Sequence, residues 1–147
     1  MKIHKTSIVN KDAQIANDVE IGAFCIIDKG VKIGSGTKIM PYVHILSYTT
    51  IGKNNIIHQG STIGGIPQDL KYDNEKTELI IGNNNVIREY CTLNRGTSFL
   101  NKTEIGNNCL LMAYVHIAHD CIVDNSVILA NGVQLGGHCE IGYHAIV

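Results

Sequence analysis

The sequence has no tryptophan, and aromatic residues make up only 5% of its 147 residues. Its formal net charge is -1, which gives no sign of binding to nucleic acid or to an anionic membrane surface. No segment approaches the roughly 20 consecutive apolar residues of a membrane span, and the N-terminus contains no apolar run of signal-peptide length. We therefore expect a cytoplasmic protein with a core of aliphatic side chains and no integral membrane segment.

The five cysteines are an odd number and include no CxxC pair, so neither a disulfide framework nor a zinc knuckle is predicted. They belong to a repeat. A large aliphatic residue recurs at every sixth position from Ile3 to Ile63, and again from Ile81 to Val147, where only Phe99 is not aliphatic. We call these residues the anchors and each six-residue unit a hexad. An α-helix would scatter these positions around its axis. The period instead predicts short strands joined by corners.

A second column of small or β-branched residues lies two positions before each of these anchors. It contains all five cysteines, which are therefore predicted to be small buried side chains rather than ligands or nucleophiles: Cys25, Cys91, Cys109, Cys121 and Cys139. Glycine often follows the anchor, where a turn with positive φ is expected. Three hexads would close one coil, and coils would stack with the spacing of paired strands, about 4.8 Å. The sequence thus predicts one domain, residues 1–147, folded as a parallel β-helix.

The repeat is interrupted near residues 64–80, which include Pro67 and a mixture of polar side chains. The step from Ile63 to Ile81 is three hexads, one coil's length, so the register is expected to continue unchanged after a loop that leaves the coil wall. A second, smaller excursion is predicted at 98–104. Loops on a rigid scaffold often carry function, although a tolerated insertion without a role is the alternative.

The segment HIAHDC holds the densest polar cluster. His116 precedes an inward anchor and should point outward, while His119 and Asp120 enter the next corner. His138 follows Asp120 by three hexads and should stack on it in the neighbouring coil. Three imidazoles and a carboxylate on one outer patch provide a general base and a group to orient it. Three histidines could also bind zinc across a trimer interface, but Asp120 fits the orienting role better, so no metal is predicted.

Four motifs indicate which group of hexapeptide-repeat proteins the chain resembles: GGIPQDLKY, IREYCTLNRGT, LLMAYVHIAHDCIV and LANGVQLGGH. Together with the hexads, they resemble the UDP-N-acetylglucosamine 3-O-acyltransferases of the transferase hexapeptide superfamily. The resemblance implies a left-handed β-helix, although the general rule for crossovers favours a right-handed one. It also implies a homotrimer with active sites between subunits. The implied reaction, the first step of lipid A biosynthesis, transfers a 3-hydroxyacyl group from acyl carrier protein to the 3-hydroxyl of UDP-N-acetylglucosamine, without a cofactor.

The same resemblance implies roles for individual residues. His119 would be the general base, Asp120 would orient it, and the backbone N–H of Gly137 would hold the thioester oxyanion. His116 and His138 would position the substrate. A direct attack by the sugar hydroxyl on the thioester needs no cysteine or serine nucleophile.

From the loop, Gln68, Asp69 and Lys71 would reach the sugar nucleotide of an adjacent subunit. Asn94 stands where many members of the family carry histidine. The family usually continues beyond this length through further coils and a C-terminal helical domain, so the chain is expected to be an N-terminal part.

Three alternatives stay open. A related N-acyltransferase is disfavoured because its extra N-terminal domain is missing before the hexads. The others are a non-catalytic trimeric scaffold or inactive fragment and a zinc-dependent enzyme resembling carbonic anhydrase. The sequence does not distinguish a 3-hydroxyl from a 3-amino acceptor.

Overall fold

The computed structural model describes all residues, Met1–Val147, and consists of 21 short strands without a helix. The structure therefore contains no helix that is long and apolar enough to cross a membrane. The strands are β1 (Lys2–Ile3), β2 (Ile8–Val9), β3 (Gln14–Ile15), β4 (Glu20–Ile21), β5 (Ile26–Ile27), β6 (Lys32–Ile33), β7 (Lys38–Ile39), β8 (His44–Ile45), β9 (Thr49–Ile51), β10 (Ile56–Ile57), β11 (Thr62–Gly65), β12 (Glu78–Ile81), β13 (Val86–Ile87), β14 (Thr92–Asn94), β15 (Lys102–Ile105), β16 (Leu110–Leu111), β17 (His116–Ile117), β18 (Ile122–Val123), β19 (Ile128–Leu129), β20 (Gln134–Leu135) and β21 (Glu140–Ile141).

These strands form three parallel sheets of seven strands each. Sheet A begins with β1, sheet B with β2 and sheet C with β3, and each sheet then takes every third strand along the chain. The chain therefore winds as a parallel β-helix with three faces and three edges. The winding is left-handed, as the resemblance implied and against the general preference for right-handed crossovers. We call the edge where the chain passes from sheet B to sheet C the B–C edge.

The predicted anchor column forms the core. Ile27, Ile45, Ile63 and Ile117 are at most 1% exposed, and each has its equivalents directly above and below it in the sheet. A single coil could not bury these side chains alone, so the stack of coils is the unit of stability. One core of 27 buried residues runs through the molecule.

The side chains of the smaller inward column also form hydrogen bonds, which the residue spacing does not predict. Its side chains donate hydrogen bonds to corner carbonyl groups of the next coil: Cys91 Sγ to Met112 O at 3.2 Å, and Asn85 Nδ2 to Gly106 O at 2.9 Å. A buried carbonyl without a donor destabilises a fold by about 1–3 kcal/mol. This requirement explains why the column contains Cys, Ser, Thr and Asn beside Val and Ala.

Most glycines that follow the anchors have a different cause from the predicted one, and only Gly64 among them has the predicted positive φ, at 87°. Elsewhere the positive φ lies two positions after the glycine, as at Phe24 after Gly22 and at Asn54 after Gly52. A Cβ on Gly34 would lie 2.6 Å from the Gly52 carbonyl oxygen, and one on Gly52 would lie 2.5 Å from the Gly82 oxygen. Glycine is therefore needed here because successive coils approach each other closely, not because of its φ angle.

The loop prediction is confirmed, but the predicted register is wrong. Ile63 lies in sheet B, whereas Ile81 lies in sheet C and pairs with Ile51, five hexads earlier, rather than with Ile63. The insertion after β11 thus lengthens the normal coil by two hexads. We call residues 66–77 the long loop. It is ejected from the B–C edge, as is a shorter insertion described next.

The second excursion is present, but it spans residues 95–101 rather than the predicted 98–104, because Lys102–Ile105 form β15. It also lies on the B–C edge and lengthens its coil by one hexad, since Ile81 pairs with Ile105, four hexads later. Phe99, predicted to be an inward anchor, is 71% exposed within this segment. Thr97, assigned to the small inward column, is buried but bonds to Asp120 instead. Both assignments were wrong because an insertion of one whole hexad preserves the period while the chain leaves the wall.

The buried thiols should react slowly. Burial raises the pKa of Cys91 and of Cys121 to about 11, and both side chains are buried. At pH 8 we expect N-ethylmaleimide to modify the half-buried Cys139 first and to leave Cys91 and Cys121 unmodified until the chain is denatured. Mass spectrometry of peptides with and without denaturant measures this order. Early modification of Cys91 or Cys121 in the folded chain would contradict their inward placement.

Candidate active site

The B–C edge brings together residues from four separate segments. The corner after β17 supplies His119 and Asp120, and the corner after β20 supplies His138. The long loop supplies Asp69, and the 95–101 segment supplies Thr97. Asp120 and His138 both adopt positive φ, at 58° and 64°, because each stands at the left-handed position of its corner. The predicted stacking of these two residues, three hexads apart, is confirmed.

Asp120 is 1% exposed and accepts four hydrogen bonds. Its Oδ1 accepts from the backbone N–H groups of Thr97 at 2.9 Å and Leu100 at 3.1 Å. Its Oδ2 accepts from Thr97 Oγ1 at 2.5 Å and from His119 Nδ1 at 2.8 Å. Burial raises the pKa of the Asp120 carboxyl, but the bonds from Thr97, His119 and Leu100 outweigh it and hold that pKa below its ordinary value. Asp120 is thus a fixed carboxylate.

His119 is oriented by this carboxylate. With Nδ1–H donated to Asp120, the neutral ring presents its Nε2 lone pair to the outside of the edge. Asp69 Oδ2 lies 3.9 Å from Nε2, so a proton taken up there would place the imidazolium between two carboxylates. The imidazole side chain is 12% exposed. This arrangement equips His119 as a general base.

Gly137 lies against the His119 ring. A Cβ at this position would come within 2.6 Å of His119 Nε2, so only glycine leaves the imidazole in its place. The Gly137 N–H has no acceptor within the chain. His138 packs edge-on against His119, with ring centroids 5.0 Å apart, and against Phe99 at 4.8 Å.

The structure separates His116 from this cluster. Its side chain lies on the outer face of sheet B, where Nδ1 is 2.7 Å from Thr92 Oγ1, and it takes no part in the Asp120 network. Burial lowers the pKa of His116, offset in part by a hydrogen bond with Thr92. A neutral imidazole there can accept or donate one hydrogen bond to a ligand on that face.

The long loop folds back over the edge of its own chain. Lys71 and Gln68 are exposed, and the Lys71 N–H donates to Asp69 Oδ1 at 2.9 Å in a turn that holds the carboxylate. A cleft of about 190 Å³ lies between this loop, Phe99 and His138. Three larger clefts, of about 520, 570 and 270 Å³, lie elsewhere on the surface, and their linings do not include His119, Asp120 or His138.

Sequence reasoning missed Thr97 and Leu100, which hold Asp120 in place. Their contacts join an inserted segment to a regular corner, so no periodic signal marks them. Thr97 ends the motif IREYCTLNRGT, but nothing in that motif marks its contact with Asp120. Asn94 is buried, and its Nδ2 has no hydrogen-bond partner within the chain.

Known proteins resemble this chain over almost its whole length. The family described as Bacterial transferase hexapeptide (six repeats) matches residues 30–65 and 102–137. An acyl-(acyl-carrier-protein)–UDP-N-acetylglucosamine O-acyltransferase of Thermodesulfovibrio yellowstonii is 48% identical over 95% of the chain and 55% of its own length. That of Campylobacter concisus is 42% identical over 99% of the chain and 56% of its own length. The chain belongs to the UDP-N-acetylglucosamine acyltransferase family.

Solved structures give the same assignment. LpxA from Acinetobacter baumannii is 51% identical, superimposes with a TM-score of 0.95, and is matched over 98% of this chain and 56% of its own. LpxA from Moraxella catarrhalis is 47% identical with a TM-score of 0.96, over 99% and 57% of the two chains. The present chain thus spans about half the length of the acyltransferases that it matches.

Proposed function

We propose that the protein transfers a 3-hydroxyacyl group from acyl carrier protein to the 3-hydroxyl of UDP-N-acetylglucosamine, the first step of lipid A biosynthesis. The observation that carries this proposal is the His119–Asp120 pair, whose carboxylate is held by four donors on the same edge as the long loop. The likeness to acyltransferases of that name supports the choice of substrates. In this proposal the protein acts in the cytoplasm as a homotrimer.

The reaction needs one proton shuttle. His119 Nε2 takes the proton from the sugar 3-hydroxyl as its oxygen attacks the thioester carbonyl carbon, and Asp120 stabilises the imidazolium. The Gly137 N–H holds the oxyanion of the tetrahedral intermediate. The intermediate collapses to the ester as the C–S bond breaks, and the His119 imidazolium returns its proton to the departing thiolate.

The remaining predicted residues bind the substrates. Gln68, Asp69 and Lys71 contact the sugar nucleotide from the long loop. His138, which packs on His119, and His116, on the outer face of sheet B, position the substrate. In the proposed trimer, these loop residues reach the nucleotide that is bound between their own subunit and an adjacent one. Within a single chain, Asp69 Oδ2 lies 3.9 Å from His119 Nε2. No cofactor takes part.

The test is acyl transfer by this chain from 3-hydroxyacyl carrier protein to UDP-N-acetylglucosamine, followed by mass spectrometry of the sugar product. Product formation supports the proposal, and a parallel assay with the 3-amino analogue identifies the preferred nucleophile. Without product, calorimetric binding of UDP-N-acetylglucosamine would show that the acceptor site is present and that transfer needs further segments. Neither product nor binding would favour a scaffold.

A zinc-dependent enzyme is a second candidate, because ligand atoms of His119, Asp120 and His138 lie within 4.8 Å of one another. Against it, Asp120 Oδ2 already accepts hydrogen bonds from Thr97 and His119, which a zinc ion would have to displace. Stoichiometric zinc in purified protein would favour this candidate over acyl transfer.

Replacing Gly137 with alanine is expected to lower acyl transfer by about 100-fold, since a misplacement of a catalytic group by about 1 Å has effects of that size. The new Cβ would displace the His119 ring without touching the core. Gly136→Ala is the matched control, because a Cβ there meets no atom within 4 Å in this chain. Equal rates for both variants would contradict the packing of Gly137 on the catalytic ring.

A further inference from the structure

Arg95 is a buried cation without an anionic partner. It is 8% exposed, and no carboxylate of the chain forms an ion pair with it. Its Nε is buried without a hydrogen-bond partner. A buried unpaired charge destabilises a protein unless other contacts offset it. The contacts that Arg95 does make therefore indicate why the guanidinium lies there.

Those contacts join the long loop to the coil. Arg95 extends along the B–C edge, where its guanidinium carbon lies 5.1 Å from the ring centroid of Tyr48. One terminal nitrogen donates to the Tyr72 hydroxyl at 3.0 Å, and the other reaches the Ser47 carbonyl at 3.4 Å. Lys76 from the loop lies over the same Tyr48 ring at 5.5 Å. The guanidinium thus bridges a residue of the loop and two residues of the wall.

Tyr72 passes this constraint to the catalytic edge. Its hydroxyl donates to the Glu75 carbonyl at 2.9 Å, which closes the second half of the loop. Its backbone N–H donates to the Asp69 carbonyl at 3.0 Å, so Tyr72 closes the turn that carries Asp69. Asp69 in turn lies beside His119. A continuous set of contacts therefore runs from Arg95 through Tyr72 to Asp69, the carboxylate that lies beside His119.

We propose that Arg95 is a positioning residue: through Tyr72 and Tyr48 it holds the long loop against the B–C edge and keeps Asp69 facing His119. It acts on the loop rather than on the reacting atoms. The consequence for catalysis rests on the proposed function, whereas the effect on the loop does not. Without Arg95, the long loop should open while the coils beneath it stay folded.

Limited trypsin cleavage measures loop opening directly, because the exposed Lys71 lies within the loop. Loss of hydrogen bonds from a charged donor should raise the cleavage rate at Lys71 in Arg95→Met by about 10-fold or more, with unchanged cleavage at Lys11 and Lys29 on other coils. Tyr72→Phe, which removes only the hydroxyl, should give a smaller rise at the same site and an unchanged melting temperature.

Arg88→Met is the matched control, since Arg88 is an exposed arginine of the preceding hexad that pairs with Glu89. Trypsin should cleave the Arg88→Met variant after Lys71 at the parent rate. Parent rates in both Arg95→Met and Tyr72→Phe would overturn the proposal, as would a uniform rise at every lysine, which indicates general unfolding. Arg95→Lys should fall between Arg95→Met and the parent, because it keeps the charge but not the planar fork.

Kinetics gives the second readout. In Arg95→Met the KM for UDP-N-acetylglucosamine should rise by about 10-fold, with an unchanged KM for the acyl carrier protein, because the loop residues contact the sugar nucleotide. Unchanged KM values for both substrates would overturn the catalytic consequence. If the parent chain transfers no acyl group, that result counts against the proposed function, and the cleavage rates alone decide the role of Arg95.

Discussion

Substituting alanine for His119 is expected to reduce acyl transfer by about 10²–10⁴-fold, the usual contribution of a positioned general base. The side chain lies outside the anchor column, so its removal leaves the coils and their hydrogen bonds in place. The loss should therefore appear in kcat, with a melting temperature close to that of the parent. Steady-state kinetics and thermal unfolding measured on the same preparation separate the two quantities.

His58→Ala is the control for this prediction. His58 is a partly buried histidine, 23% exposed, that lies 3.9 Å from a carboxylate oxygen of Glu89 but on a different edge. It should keep parent activity. The double variant His119→Ala/Asp120→Asn should be no slower than His119→Ala alone, because the carboxylate acts through the imidazole. A further large loss in the double variant would assign Asp120 an independent role.

Ile117→Asp is expected to destabilise the fold by about 4 kcal/mol or more, from the lost aliphatic side chain together with the buried carboxyl group. Ile117 is fully buried and packs between the anchors Leu93 and Leu135 of the neighbouring coils. Since domains of this size are stable by only about 5–15 kcal/mol, most of the folded population should be lost. Circular dichroism during thermal unfolding provides the measurement.

Adjacent isoleucines in β5 supply a matched pair for the same test. Ile27 is 1% exposed and belongs to the anchor column, whereas Ile26 is 40% exposed on the outer face. Ile27→Asp should unfold the chain as Ile117→Asp does, while Ile26→Asp should melt within a few degrees of the parent. Similar melting of the two β5 variants would contradict the inward column.

The sequence was sufficient for the wall of the molecule because the wall is periodic. The hexad spacing placed Ile117 inward, and the spacing of three hexads placed His138 over Asp120; both placements are confirmed. The inserted segments could not be placed in this way. Phe99 kept the period and left the core, since a spacing rule counts residues and does not register whether the chain has left the wall.

The candidate site was predicted only in part for the same reason. His119 and Asp120 could be found from HIAHDC, but Thr97, Leu100 and Tyr72 make their contacts between an insertion and a corner distant in sequence, or across two insertions. Such contacts depend on the path of a loop in space. Glycine after the anchors was recognised as necessary, yet the close approach of coils could be seen only once they were stacked.

The pairing distances in this β-helix also bear on how it folds. Every strand pairs with partners three, four or five hexads away, so no strand pairing has to close a loop longer than one coil and its insertion. The entropy lost on closing a loop grows only slowly with its length, so the added residues at the B–C edge raise it little. Once one coil has formed, it can serve as a template for the next coil. The conformational search for each added coil therefore does not lengthen as coils accumulate.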